Sequence, residues 1–204
     1  MHSILNLILI TIGAYIIGSI PTGYILVKAI KNEDIRTHGS GSTGATNVKR
    51  VLGTWAFFAV MFIDALKGCL PVLASKYLEY KLNIYPYYSI LPVLVSIAVI
   101  IGHSKSIFLK FSGGKSVASG VGTIFGLNWI VGLITAALWT IITYSSKYVS
   151  LGSIIAVLLT PVWMLLFKQP ISYTIYCLLG SLYIVYLHRE NIKRLVSGNE
   201  NKIR

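Results

Sequence analysis

Residues 39–50 combine small, hydroxylated and cationic side chains between two apolar segments. They read Gly-Ser-Gly-Ser-Thr-Gly-Ala-Thr-Asn-Val-Lys-Arg. Because glycine permits positive φ, successive backbone N–H groups can turn toward one point and hold an anion. The Arg50 guanidinium adds a planar fork that suits phosphate oxygens. The stretch therefore indicates a phosphate-binding loop, although the same composition is also typical of a flexible polar linker.

A second basic loop runs from Gly102-His103 to Gly113-Gly114-Lys115-Ser116. It is not a Walker A motif, because Leu109 stands where the first glycine is required. Val117 begins an apolar segment, so Lys115 lies at a predicted helix N-terminus, which favours anions. A basic cytoplasmic loop that touches anionic lipid is the alternative interpretation, and Lys105 and Lys110 fit it well.

A third polar cluster follows the last apolar segment. His188 and Asn191 are three residues apart, so a helix would place them on one face, with Arg194 three residues further on. Histidine can act as a base or a positioning group, and an amide can stabilise an oxyanion. The alternative is that both residues only cap the end of a span.

The composition indicates that these loops belong to a membrane protein. Hydrophobic residues make up 55% of the chain and charged residues 12%, which is far from the balance of a soluble domain. There are only six acidic residues, which removes most metal-dependent and carboxylate-dependent chemistry. We therefore expect no metal, no other cofactor and no nucleic-acid partner. The net charge of +12 suits cytoplasmic loops or an anionic ligand.

Apolar length predicts an all-α, polytopic fold of seven transmembrane helices in a single domain over residues 1–204. The N-terminal segment lacks a basic n-region and a cleavage site, so we expect it to remain as the first span. The long apolar run from Val117 is divided near Asn128, because it exceeds one ordinary span. The predicted spans are Ile4–Ile30, Val51–Ser75, Tyr85–Ile101, two within Val117–Tyr144, Leu151–Phe167 and Ile171–Leu187.

The basic residues outside the spans predict the orientation. One side would hold thirteen of them and the other only three, which are Lys76, Lys81 and Lys168. This asymmetry places the N-terminus outside and the C-terminus in the cytoplasm, with all three polar clusters on the cytoplasmic side. It also supports the division near Asn128, without which the tail would change sides.

Polar residues inside the predicted spans have structural interpretations. Asp64 and Lys67 are spaced i,i+3 and are most simply a self-neutralising pair, although a catalytic Asp64 is the alternative. Residues 18–24, which include Pro21, predict a kink or a close approach to a bound group. Cys69 and Cys177 lie in apolar segments and read as buried side chains outside any disulfide. Lys76, Glu79 and Lys81 predict a short polar loop.

Several familiar catalytic patterns are absent from the sequence. No histidine is followed by aspartate at the spacing of soluble glycerolipid acyltransferases. There is no aspartate-rich cluster of a metal-dependent phospho-alcohol transferase. The run Gly39-Ser40-Gly41-Ser42-Thr43 also lacks the last glycine of a hydrolase nucleophile elbow.

Together the three clusters resemble the bacterial acyl-phosphate:glycerol-3-phosphate acyltransferases of the PlsY type. The resemblance is carried by residues 39–50, 102–118 and 188–200, with further matches at 18–23 and 64–68. It extends over nearly the whole chain, and it implies seven spans with the active site at the cytoplasmic face of the bacterial inner membrane.

The resemblance also implies roles for individual residues. It assigns catalysis and substrate orientation to His188 and Asn191. It assigns phosphate binding to Ser40, Arg50 and Lys115, together with a serine that is either Ser150 or Ser153. The supporting positions in the loops are Gly39, Gly41, Gly44, Asn47, His103, Gly113 and Gly114. The chain departs from the family pattern at Ser42, Lys105, Ser106, Ser112 and Leu187.

The implied reaction moves a fatty acyl group from acyl phosphate to the 1-hydroxyl of glycerol 3-phosphate, giving lysophosphatidic acid and phosphate. The implied partners are these two substrates, membrane lipid and the enzyme that makes acyl phosphate, which would hand its product over. A transporter of a phosphorylated metabolite is the competing function, but transporters usually show internal repeats and a site near the midplane. A non-catalytic lipid-binding or assembly protein is a third alternative, but it does not explain why the three polar clusters occur together.

Overall fold

The structure of the protein is a computed structural model, which describes residues 2–82 and 89–203. Its regular structure over these ranges is helical, with short 3₁₀ turns at Ile35–Thr37 and Ile107–Leu109. The helices are α1 (His2–Ser19), α2 (Thr22–Lys31), α3 (Ala45–Leu52), α4 (Thr54–Leu82), α5 (Ile90–Ser104), α6 (Val117–Leu127), α7 (Trp129–Ser146), α8 (Val149–Leu158), α9 (Thr160–Leu166), α10 (Ile171–Leu187) and α11 (Arg189–Val196).

Four helical stretches in the described part of the chain are long and apolar enough to cross a membrane. They are Ile4–Lys31, Thr54–Lys81, Trp129–Ser146 and Val149–Leu166. A fifth is formed if α10 and α11, which meet at an angle of 63°, count as one span. Helices α5 and α6 are apolar but shorter. Over the described residues, the protein is therefore an all-helical membrane protein with four or five candidate spans.

The predicted break near Asn128 is confirmed. Helix α6 ends at Leu127, and the Asn128 side chain accepts hydrogen bonds from the backbone N–H groups of Ile130 and Val131, each at 3.0 Å. An asparagine that caps two free N–H groups is a strong helix start, which explains why α7 begins at Trp129. The predicted segment Ile171–Leu187 coincides with α10. The predicted start of the third span at Tyr85 lies outside the described residues.

The predicted second span was wrong at both ends. Gly53 has a φ of +88°, which ends α3 and separates it from α4, so the long helix begins at Thr54 instead of Val51. The predicted polar loop at Lys76, Glu79 and Lys81 is helical and forms the last turns of α4.

Two of these polar residues serve neighbouring helix ends. The Lys76 ammonium donates to the carbonyl of Leu127 at 3.1 Å, at the C-terminus of α6. A Glu79 carboxylate oxygen accepts from the N–H of Leu91 at 3.1 Å, in the first turn of α5. Helix ends carry unpaired carbonyl and N–H groups that need partners in an apolar environment. The charged side chains therefore compensate buried termini, which the local sequence pattern did not indicate.

The predicted kink in the first apolar segment is confirmed, because α1 and α2 are separated at Ile20 and Pro21. The buried Asp64–Lys67 pair holds this break. The two side chains lie 2.8 Å apart, Lys67 also donates to the Ile20 carbonyl at 2.7 Å, and Thr22 donates to Asp64 at 2.9 Å. The predicted self-neutralising pair is confirmed, and it also satisfies the backbone carbonyl that the break releases.

Helices α4 and α6 pack with their backbones in direct contact. A β-carbon at Gly122 would collide with the carbonyl oxygen of Ala65, and one at Gly68 would collide with that of Ser119. Small residues allow such close approach between helices in membranes, where van der Waals packing drives association. The contact fixes the position of α6. Lys115 lies two residues before the first residue of this helix, Val117.

We predict that Gly122→Ala destabilises the protein, since the added methyl group forces α4 and α6 apart. Overpacking of this kind costs roughly 2 kcal/mol, or about 5 °C in the unfolding midpoint for a chain of this size. Thermal unfolding of the detergent-purified variant measures the effect. Gly13→Ala is the matched control, because no atom lies within 4 Å of its added β-carbon. Equal midpoints for the two variants would contradict the prediction.

Candidate active site

A cavity of about 650 Å³ lies between the three polar clusters and the helices α4, α6, α7 and α8. It brings together most of the residues that the sequence singled out. The predicted residues that line it are Gly39, Ser40, Gly44, Asn47, Arg50, His103, Lys115, Ser150, Ser153, His188 and Asn191. Gly41, Gly113 and Gly114 are not part of its lining.

The glycine-rich loop before α3 is held in shape by the buried Asn47 side chain. The Asn47 amide nitrogen lies 2.9 Å from the carbonyl oxygens of both His38 and Ser42, and its side-chain oxygen accepts from the Ser40 N–H at 3.2 Å. One side chain thus ties both ends of the loop to the first turn of α3. The loop is consequently a built element, unlike a flexible linker.

Glycine is required at two positions in this loop. Gly39 and Gly41 have φ values of +53° and +69°, in the left-handed region that side chains disfavour. A β-carbon at Gly39 would also collide with the Asn47 side chain and stand 3.1 Å from an Arg50 guanidinium nitrogen. The absence of a side chain at Gly39 therefore leaves room for Arg50 beside the loop. Ser40 and Arg50 are both exposed toward the cavity.

The loop before α6 is packed against His103. The Gly114 N–H donates to the His103 carbonyl at 3.0 Å, and a β-carbon at Gly114 would collide with the His103 ring. A β-carbon at Gly113 would collide with the His103 carbonyl. The two glycines thus act indirectly, because they let the backbone lie on His103 and place the half-buried Lys115 at the cavity.

His188 joins α10 to α11 and is 4% exposed. Its Nδ1 lies 2.8 Å from the Ile184 carbonyl oxygen. A carbonyl only accepts, so Nδ1 carries the proton and Nε2 remains an acceptor in the neutral ring. Burial, with a further contribution from the Lys115 charge, lowers the pKa of His188 to about 4. The ring is therefore neutral at pH 7 and able to accept a proton.

Asn191 connects Lys115 to the C-terminal tail. Its side-chain oxygen accepts a short hydrogen bond from the Lys115 ammonium, and its amide nitrogen donates to Glu200 at 2.6 Å. The same carboxylate accepts from Ser150 at 2.8 Å and from Arg194 at 2.8 Å. The predicted helical tail is confirmed as α11, and this helix presents Asn191 and Arg194 on one face.

Electrostatics in this cluster favour an anionic ligand. Burial, together with the Arg194 and Arg50 charges, lowers the pKa of Lys115 to about 8, with Glu200 acting in the opposite direction. Burial alone would raise the pKa of Glu200, but hydrogen bonds from Asn191, Ser150 and Arg194 hold it below its usual value. Three cationic side chains therefore face the cavity, and a phosphate there would relieve their mutual repulsion.

Both candidate serines on α8 lie at the cavity and are buried. Ser150 donates to Glu200, as described above. Ser153 donates to the Val149 carbonyl at 2.8 Å and accepts from the Trp139 indole at 3.1 Å. Ser150 is thus joined to the charged cluster, whereas Ser153 is joined to the wall that α7 provides.

The part of the cavity that follows α6 is apolar. Val121 and Phe125 lie one and two turns along α6 from its start, and Met61, Ala136 and Trp139 line the facing helices α4 and α7. The lining thus changes from cationic at Lys115 to hydrocarbon along α6.

Sequence reasoning missed Glu200 as part of the site. Its carboxylate reaches Asn191 because the tail folds back, as the hydrogen bond of 2.8 Å from the Ile203 N–H to the Lys147 carbonyl shows. Such a long-range return has no periodic pattern, and the only signal in the sequence was the scarcity of acidic residues. Asp64 also lines the cavity, but it is paired with Lys67.

Three of the positions that depart from the family pattern have side-chain partners. The buried Ser106 donates to the Ser19 carbonyl at 2.6 Å, at the end of α1. Ser112 accepts from Arg36 at 3.3 Å, and Ser42 accepts from the Gly44 N–H at 3.3 Å.

Cys69 and Cys177 are free thiols. Within residues 2–82 and 89–203, no three His, Cys, Asp or Glu side chains are grouped as a metal site.

Comparison with known proteins places the chain among acyltransferases. The family model described as glycerol-3-phosphate acyltransferase matches residues 8–198. A glycerol-3-phosphate acyltransferase of Trichormus variabilis is 43% identical, over 95% of this chain and 90% of its own length. One from Rippkaea orientalis is 44% identical, over 96% of this chain and 92% of its own length.

Two solved structures are similar over 98% of this chain and 96% of theirs. Both are crystal structures of PlsY (YgiH), an integral membrane glycerol 3-phosphate acyltransferase. The glycerol 3-phosphate form has a TM-score of 0.89 at 34% identity, and the lysophosphatidic acid form has a TM-score of 0.87 at 32% identity. The sequence matches over nearly the whole chain, together with this structural similarity, show that the chain belongs to the glycerol-3-phosphate acyltransferase family.

Proposed function

We propose that this protein is a membrane enzyme that transfers a fatty acyl group from an acyl phosphate to the 1-hydroxyl of sn-glycerol 3-phosphate. The products are lysophosphatidic acid and inorganic phosphate. The main support is one cavity that joins a cationic cluster to an apolar wall. Both proposed substrates carry phosphate, and one carries a long hydrocarbon chain. Similar proteins have been crystallised in glycerol 3-phosphate and lysophosphatidic acid forms.

The cationic cluster suits the two phosphate groups. Arg50 and Lys115 line the cavity, and the Ser40 hydroxyl also lines it and can donate. The Ser150 and Ser153 hydroxyls would donate to phosphate only after releasing Glu200 and the Val149 carbonyl. Lys115 contributes a point charge, whereas Arg50 contributes a planar fork that can bind two phosphate oxygens. The acyl chain would then lie along Val121 and Phe125, in the apolar part of the cavity.

The chemistry needs little beyond positioning and charge stabilisation. The 1-hydroxyl oxygen of glycerol 3-phosphate attacks the acyl carbonyl carbon, and the bond from that carbon to the phosphate oxygen breaks. The hydroxyl proton passes either to Nε2 of the neutral His188 or to the departing phosphate. Lys115, which is bound to Asn191, stabilises negative charge on phosphate or on the carbonyl oxygen. No residue has to form a covalent intermediate, because acyl phosphate is already activated.

We further infer a single domain of seven spans in the bacterial inner membrane, with the N-terminus outside and the cavity open to the cytoplasm. This count is supported by seven apolar helical segments within the described residues, if α1 with α2, and α8 with α9, are each counted as one. The excess of basic residues beside the cavity supports the cytoplasmic assignment. In this arrangement the enzyme that makes acyl phosphate hands it over at the cytoplasmic face.

Phosphate release by detergent-purified protein supplied with palmitoyl phosphate tests the reaction. We expect release only when glycerol 3-phosphate is present, with lysophosphatidic acid formed in equal amount. No release from folded protein would refute the proposal. Uptake of glycerol 3-phosphate into proteoliposomes in that case would indicate a transporter instead.

We predict that Lys115→Ala and Arg50→Ala each lower kcat/KM by at least about 100-fold, since each removes a charge that contacts phosphate. Lys193→Ala is the matched control, because this lysine is exposed on α11 and bound only to Glu190 among the described contacts. Near-normal turnover in either Lys115→Ala or Arg50→Ala, with an unchanged unfolding midpoint, would remove that residue from the site.

The pH dependence of kcat/KM should report Lys115. The ammonium is charged below its pKa of about 8 and neutral above it, so kcat/KM should fall as the pH rises through about 8. In Lys115→Arg, the guanidinium stays charged up to about pH 12. The alkaline limb of the kcat/KM profile should therefore move to higher pH, even if kcat/KM itself is lower. Identical alkaline limbs in the two proteins would contradict this assignment.

Asn191→Ala should mainly lower kcat, because its side-chain oxygen orients the Lys115 ammonium and its amide group lies in the reacting cluster. A loss of about tenfold or more in kcat with little change in KM is expected. Steady-state kinetics over both substrates provide the measurement. A change confined to KM for glycerol 3-phosphate would show that Asn191 only contributes to binding.

A further inference from the structure

A hairpin outside the cavity carries an exposed surface that is both apolar and basic. Residues 105–112 connect α5 to the loop that holds Lys115, and none of them lines the cavity. Ile107, Phe108 and Phe111 are 52%, 58% and 61% exposed. Lys105 and Lys110 are also exposed. Three large apolar side chains and two cations therefore share one short hairpin, which we call the 105–112 hairpin.

The 105–112 hairpin is an ordered unit tied firmly at its base. The Ser106 N–H donates to the Ser112 carbonyl at 3.2 Å, and the Phe111 N–H donates to the Ser106 carbonyl at 2.8 Å. The Ser106 hydroxyl donates to the Ser19 carbonyl at 2.6 Å, and the Leu109 side chain is buried. The exposed apolar groups are thus held outward by a fixed frame.

The tip of the hairpin keeps this arrangement at a conformational cost. Lys110 and Phe111 have consecutive φ values of +54° and +59°, in the left-handed region that glycine or asparagine would occupy more easily. Strained backbone of this kind persists where surrounding contacts hold it and is often functional. Here it coincides with a phenylalanine that no described hydrophobic cluster covers.

The position of the hairpin identifies its environment. It directly follows the apolar helix α5, so it lies where a membrane-embedded segment ends. At that depth, apolar side chains can enter the acyl boundary while lysines extend to the headgroups. Anionic headgroups complement Lys105 and Lys110 in charge, and clustered basic residues beside a membrane segment bind such lipids.

We propose that the 105–112 hairpin is a membrane-interface anchor. Ile107, Phe108 and Phe111 enter the boundary between headgroups and acyl chains, and Lys105 and Lys110 bind the phosphate of anionic lipid headgroups. This surface is distinct from the acyl-transfer cavity. Through Ser112 it joins the glycines that place Lys115, so the anchor also fixes one side of the site relative to the membrane surface.

Fluorescence of full-length protein in lipid nanodiscs tests the insertion without any need for activity. A single cysteine at Phe108→Cys or Ile107→Cys, with Cys69→Ala and Cys177→Ala, carries the NBD fluorophore. Ser197→Cys is the matched control, since Ser197 is exposed after α11. In discs of phosphatidylcholine and phosphatidylglycerol, we expect iodide to quench the hairpin labels at least threefold less than the control label. Lipids that carry a spin label near the headgroup should quench the hairpin labels more strongly than they quench the control label.

Equal iodide quenching of the hairpin and control labels would overturn the proposal. So would protection that requires an added soluble protein, because the surface would then be a protein docking site.

The charge component is tested by Lys105→Gln with Lys110→Gln. Iodide quenching of the label at residue 108 should rise about twofold in discs that contain phosphatidylglycerol and stay unchanged in pure phosphatidylcholine. Lys31→Gln with Lys193→Gln is the control pair, because these two exposed lysines lie outside the hairpin. An equal rise in both lipids, or an equal rise with the control pair, would overturn the assignment of Lys105 and Lys110 to anionic headgroups.

Discussion

The site depends on the cost of holding positive charge in a partly buried cavity. Arg50, Lys115 and Arg194 face the same space, and burial together with mutual repulsion weakens the hold of Lys115 on its proton. Glu200 opposes this charge and is itself held by three hydrogen-bond donors. Since one carboxylate does not balance three cations, the cavity carries an excess of positive charge. Under the proposed function, binding a phosphate there would relieve that excess.

A second buried charge pair determines how the first helices meet this site. Asp64 and Lys67 neutralise each other on α4, and their remaining hydrogen-bonding capacity goes to Thr22 and the Ile20 carbonyl. A broken helix in an apolar environment needs such partners for its released backbone groups. The pair thus makes the break between α1 and α2 possible, and α2 then leads into the loop that Asn47 holds. Removing one partner would leave an unpaired buried charge, which is strongly destabilising.

Much of this architecture could be predicted from local sequence. Apolar length located α10 and the other long segments, and the excess length of the run from Val117 indicated the break between α6 and α7. The three-residue spacing of Asn191 and Arg194 placed them on one face of α11, whereas His188 lies at the junction that precedes this helix. These features depend on neighbouring residues, so a linear pattern carries them.

Features that depend on tertiary contact could not be found in this way. Lys76 and Glu79 resembled loop residues because their partners are the ends of α5 and α6. Glu200 was missed because the tail reaches the cavity only by folding back along α8. Which of the two serines joins the charged cluster also depends on distant residues, because Ser150 bonds to Glu200 and Ser153 bonds to Trp139. The resemblance to a family supplied residue roles, but it did not supply this network.

The close contact of α4 and α6 has a consequence for lipid composition. The same two helices that touch at Gly68 and Gly122 also carry Met61, Val121 and Phe125 along the apolar cavity. Because backbones in contact cannot separate without losing their packing, the distance between the α4 and α6 walls of this cavity is a fixed dimension of the fold. Under the proposed function, this fixed distance would limit the thickness and branching of the acyl chains that the cavity accepts. The fatty acids entering a cell's phospholipids would then be selected by helix packing, independently of the phosphate chemistry at Lys115.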